Sequence, residues 1–169
     1  CDQGNTVPNV YKVLDKYKGK VRVIEFPLNR DFATFKNNLK NHCTGEWIFQ
    51  IDADEYPDEY LIDTLPYFLK ENPETEVFWV PRTNTVDGIT PEHIAKWGWV
   101  KDNQGRINYP DYQCRILQNS PTINWVSKVH EVLYGHKSQT QLPANPEFGL
   151  VHHKSIDRQE HQNKLYSTL

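Results

Sequence analysis

Glu46-Trp47-Ile48-Phe49-Gln50-Ile51-Asp52-Ala53-Asp54-Glu55 is the stretch on which the reading of this chain turns. A nearly continuous apolar run stops abruptly at three carboxylates within four positions. Such a run is the mark of a strand buried on both faces, as in a parallel sheet. Open α/β sheets bind ligands in the crevice beyond the carboxyl ends of their strands, so the acidic residues stand where a site is expected. Three crowded carboxylates are costly unless a cation or a set of donors relieves them. Asp52 and Asp54 are therefore candidate oxygen ligands for Mn²⁺ or Mg²⁺, hard cations that combine carboxylates with substrate phosphates. The competing reading is a solvated turn that caps the next helix. The apolar residues in front of it weigh against that reading.

Outward from this stretch, helices and strands alternate. Val10, Val13, Leu14 and Tyr17 recur at helical spacing and stop at Lys18-Gly19. Residues 21–26 alternate with β-branched side chains and read as a strand closed by Pro27. A helix is expected over 31–42, with Asp31 as its N-cap. Pro57 and Asp58 open another, to about Glu71, and residues 76–81 form a strand. This order predicts an α/β sheet with right-handed crossovers. Residues 83–108 read as an irregular loop carrying Trp97 and Trp99. Residues 113–118 and 122–125 read as a hairpin about Asn119-Ser120-Pro121. A strand over 147–153 and a polar helix over 156–169 complete the chain.

The bulk numbers agree with one domain over residues 1–169. Of the 169 residues, 37% are hydrophobic and 24% charged, with a net charge of -3. That balance supplies no basic field for nucleic acid, and no apolar run is long enough for a transmembrane helix. Cys1, Cys43 and Cys114 are odd in number and lack paired spacing, which reads as thiols in a reducing, cytoplasmic setting.

The stretch from Asn37 through Gly45-Glu46-Trp47 to Asp52-Ala53-Asp54-Glu55-Tyr56-Pro57 resembles the signature of the family 2 glycosyltransferases. There, an Arg-Asn pair on a helix precedes a Gly-Glu-Trp strand and a metal-binding DxD motif. Asp2-Gln3-Gly4-Asn5-Thr6 is similar to the family's Asp-x-Gly-Ser-x-Asp loop. Asp111-Tyr112-Gln113-Cys114-Arg115-Ile116, Trp125 and Val129-His130-Glu131 resemble its acceptor-side segment. Lys36 stands where the pair's Arg is expected and Asn5 where Ser is usual. The family's first strand and base-binding loop have no counterpart ahead of Asp2, so the domain is expected to extend beyond this sequence.

The resemblance implies a GT-A fold, which is a Rossmann-like, mostly parallel mixed sheet flanked by helices. It implies a nucleotide-diphospho-sugar donor of the UDP, GDP or dTDP type, a glycan, lipid or protein acceptor, and an inverting mechanism at the anomeric carbon. Asp2, Lys36, Asn37, Asp52, Ala53 and Arg115 would contact the nucleotide sugar. Asp54, with Asp52 and a late histidine, His152 ahead of His153, would hold the metal. Glu131 would be the general base, with Asp111 in reserve. Trp97 and Trp99 would face the acceptor, since aromatic faces match the C–H faces of sugars. Lys154 and Arg158 are candidate phosphate contacts. Each has a bland counterpart: a surface glutamate, a structural histidine pair, tryptophans in a core. Two other functions compete. A sugar nucleotidyltransferase would need a Gly-rich basic loop that the sequence does not show. A non-catalytic carbohydrate- or cation-binding module would use the same acidic loop without a nucleotide.

Overall fold

A computed structural model describes residues 8–166. The order is α1 (Pro8–Lys16), α2 (Phe32–Asn41), β1 (Trp47–Phe49), β2 (Glu55–Pro57), α3 (Glu59–Glu71), β3 (Val77–Val80), β4 (Arg82–Asp87), α4 (Pro91–Trp97), β5 (Gln113–Gln118), β6 (Asn124–Val126), β7 (Val132–Tyr134), β8 (Gln139–Gln141), β9 (Leu150–Ser155) and α5 (Ile156–Tyr166). The protein is α/β. The described residues pack as two compact units, one from residues 8–45 with Asn119–Gly135, the other from Glu46–Gln118 with residues 136–166.

In the first unit, Asp31 caps α2 as expected, its carboxylate accepting from the Thr34 amide at 2.9 Å. That bond, ahead of the others, holds the Asp31 carboxyl below the usual range. β6 and β7 pair antiparallel, Trp125 opposite Leu133. Residues 21–26 form no strand; Val21 makes one isolated bridge to Lys18, and Val21 and Val23 stay exposed. Alternation favours a strand only where a neighbouring strand and a buried face receive it.

The second unit holds two sheets, in the orders β1-β5-β3-β8 and β2-β9-β4. Leu61 of α3, Phe78 and Val80 of β3, Ile116 of β5, Leu142 and Leu150 form its buried core. Each such side chain contributes about 1.5–3 kcal/mol by leaving water. The sheets are mixed rather than mostly parallel among the described residues: β3–β8 and β4–β9 run parallel, while β1–β5, β3–β5, β2–β9 and β6–β7 run antiparallel. β1 and β3 both oppose β5 and so run parallel to each other, the relative direction that a crossover needs. What the helix-strand alternation could not show is that β5 lies between them.

Two further expectations are corrected. Residues 83–108 are not one irregular loop. They contain β4 and then α4, whose Thr90 forms a capping box with His93 and whose end is fixed by Gly98 at φ 64°. Nor do 113–118 and 122–125 form a hairpin, since β5 pairs with β1 and β3 while β6 pairs with β7. The Asn119-Ser120-Pro121 turn marks the passage from one unit to the other.

Candidate functional site

The acidic loop leaves β1 and closes as a tight turn, the Glu55 amide donating to the Asp52 carbonyl at 3.0 Å. It runs straight into β2, which pairs with β9 so that Glu55 lies opposite His152. On its other side β9 pairs with β4, placing Asn84 opposite His152. Strand side chains alternate, so one face of this three-stranded sheet collects Glu55, Arg82, Asn84, His152 and Lys154. The opposite face carries Thr85, Asp87 and His153, joined by hydrogen bonds through the His153 ring.

Glu55 anchors the collected face. Its side chain is fully buried and accepts from Arg82 Nη1 at 2.7 Å and from Arg115 Nη2 at 2.6 Å. Its second oxygen accepts from the Asp52 amide at 3.2 Å. Arg115 also donates to Asp52 at 2.5 Å, which fixes the first carboxylate of the motif. Arg82 donates through Nε and Nη2 to Asp111 Oδ2 at 3.0 and 2.6 Å. Burial pulls the Arg82 guanidinium down, but Asp111 and Glu55 outweigh it and keep its pKa above the usual value.

Asp54 meets His152. The His152 Nε2 lies 3.3 Å from Asp54 Oδ2, and Arg158 Nη2 approaches the same oxygen at 3.1 Å. The His152 hydrogen bond is the largest influence on Asp54. It outweighs burial and, with the charges of His152 and Arg158, holds the carboxyl well below the usual carboxylate range. A chain of hydrogen bonds orients the ring. Asn84 donates from Nδ2 to Asp111 at 2.7 Å, so its Oδ1 is the atom that faces His152 Nδ1, also at 2.7 Å. An amide oxygen only accepts, hence Nδ1 carries a proton and Nε2 is the nitrogen that faces Asp54, donating to its carboxylate here. A metal would take the place of the proton on Nε2, with the ring still held through Nδ1.

Among the described residues, no group of three or more His, Cys, Asp or Glu side chains converges on one point. On this face Asp54 and His152 are ligand-type groups that meet. The carboxylate suits a hard ion whose other positions are filled by substrate phosphates and water, while the imidazole is a softer ligand than Mg²⁺ usually takes.

The other expected residues distribute as follows. Asp2 lies outside the described residues. Ala53 is exposed at the loop apex. Asp111 is engaged on both oxygens, by Arg82 and Asn84 on one and by Gln113 on the other. Trp97 stacks on His93 and meets Trp99 at 4.7 Å between ring centres. Trp99 lines a pocket on the Arg82–His152 face. In the first unit, Lys36 forms an ion pair with Glu131 and lies 4.5 Å over the Trp125 ring. Asn37 binds the Trp125 backbone with both side-chain atoms, at 2.8 and 2.9 Å.

Arg82 and Asn84 are site residues that the sequence reading missed, and Glu55 was read only as one of three crowded carboxylates. A signal for Arg82 exists: it follows the apolar run Val77–Val80 just as Asp52 follows the run before it. For Asn84, only the pairing of β4 with β9 reveals the role.

Comparison with curated proteins finds no match. A family model, Glycosyl transferase family 2, matches residues 1–133. The matched stretch holds the acidic loop, β5 and Glu131, and ends before β9 and α5. It covers well over half of the sequence, so the chain belongs to glycosyl transferase family 2.

Proposed function

We propose that the protein is a metal-dependent, inverting glycosyltransferase that moves a sugar from a nucleotide-diphosphate donor to an acceptor hydroxyl on a glycan, lipid or protein. The observation that carries this reading is the Asp54–His152 pair, with the His152 ring oriented through Asn84 and Asp111. Asp54 and His152 would hold Mn²⁺ or Mg²⁺, which neutralises charge on the departing diphosphate. Arg115 keeps Asp52 in place for the donor. Glu131 takes the acceptor proton, the acceptor oxygen bonds to the anomeric carbon, and the bond from that carbon to the diphosphate breaks with its electron pair leaving on phosphate. Glu131 is preferred to Asp111 because the Asp111 oxygens already accept from Arg82, Asn84 and Gln113. Lys36, tied to Glu131, is read as holding the base rather than the donor. No helix among the described residues is long and apolar enough to cross a membrane, and a cytoplasmic setting is part of the proposal.

Calorimetric titration of UDP, GDP and dTDP, each with and without Mn²⁺, tests the reading. One nucleotide is expected to bind only with metal, and Asp54→Ala is expected to abolish that metal requirement along with most of the affinity. Nucleotide binding indifferent to both would favour a non-catalytic carbohydrate- or cation-binding module.

A further inference from the structure

The face that carries Arg82 and His152 opens into a pocket of about 210 Å³. Drug-sized ligands occupy sites of roughly 300–1,000 Å³, so this one is of the size for a single ring. Trp99 supplies an aromatic wall, while Asn108, Gln159 and Gln162 supply amides, groups that both donate to and accept from hydroxyls. This is a surface for a hydroxylated ring.

The charges on the lining are unequal in what they have left to give. Arg82 is held by Glu55 and Asp111 through three of its nitrogens. Lys154 is different. Its ammonium donates to Gln162 Oε1 at 3.0 Å, and no carboxylate among the described residues lies at ion-pair distance from it. An ammonium has three donors, so two remain for a ligand. A half-buried cation with a neutral partner gains more from an arriving anion than one already paired.

We propose that this pocket binds one acidic sugar ring of the acceptor, with the ring face against Trp99 and the acid group on Lys154 Nζ. The inference rests on the glycosyltransferase reading and names a substrate class for it.

Saturation-transfer NMR on the full chain, with glucuronate and glucose as probes, tests it. Glucuronate is expected to bind about tenfold more tightly than glucose, the usual gain from one charge-assisted hydrogen bond. Lys154→Gln should bring glucuronate down to the level of glucose. Gln162→Glu, which gives Lys154 an internal counter-ion, should do the same. Trp99→Ala should weaken both sugars; if circular dichroism shows that variant to be misfolded, the two charge variants decide. Equal binding of the two sugars, or a preference that survives Lys154→Gln, would overturn the proposal. So would displacement of glucuronate by inorganic pyrophosphate, which would assign the pocket to the donor's leaving group. Metal-dependent nucleotide binding without a glucuronate preference removes this inference alone, whereas loss of both removes the transferase reading as well.

Discussion

Glu55 shows how much one side chain can organise. A buried carboxylate that bridges two guanidiniums and an amide is stabilising only while all partners are present; without it Arg82 keeps Asp111 and Arg115 keeps Asp52, each with one carboxylate in place of two. Glu55→Gln is expected to cost about 1–3 kcal/mol in urea unfolding. Lys36 acts at the same scale in the first unit. Lys36→Met keeps the packing on Trp125 but releases Glu131, so kcat for sugar release from the donor should fall about tenfold to a hundredfold with KM unchanged. Lys36→Arg should restore part of it, and Glu131→Gln should cost about 10²–10⁴-fold. An equal loss in KM for Lys36→Met would return that residue to donor binding.

The elements that position the site are short, and caps matter to them. Thr90→Ala removes the capping box of the seven-residue α4 and should lower stability by about 1 kcal/mol in the same urea assay. An unchanged midpoint would mean that Trp97 and Trp99 hold the helix without its cap. At this scale the sequence was legible where a signal was local. The Asp31 cap, the amphipathic helices and the acidic loop after an apolar strand were all readable from neighbouring residues. What was not legible was strand adjacency. Nothing in Gln113–Gln118 says that it slips between β1 and β3, and nothing in Asn84 says that it will face His152. Those facts depend on partners tens of residues away. Residues 83–108 read as a loop for a related reason: Gly, Asn and Pro there are the stop signals of real elements, β4 and α4.

For the molecule as a whole, the depressed Asp54 carboxyl sets a pH dependence of stability. A carboxyl whose folded pKa lies below its unfolded value of 3.8 contributes its full stabilisation above that value, and the contribution is lost as pH falls toward the folded one. Asp54→Asn should therefore lower the melting temperature near pH 5, and by less as the pH drops under about 4. A difference that grew on acidification would show that the His152 and Arg158 contacts are not what hold Asp54 charged.

The pleat of β9 has a consequence for how such sequences can change. His152 and Lys154 share one face and His153 and Ser155 the other, so a one-residue deletion just ahead of His152 moves His153 to the position opposite Glu55 and Asn84. The doubled histidine then returns an imidazole to the side of Asp54, while Ser155 arrives where Lys154 had been. Under the proposed function, such a deletion is a route by which a lineage could keep its donor site and exchange its acceptor.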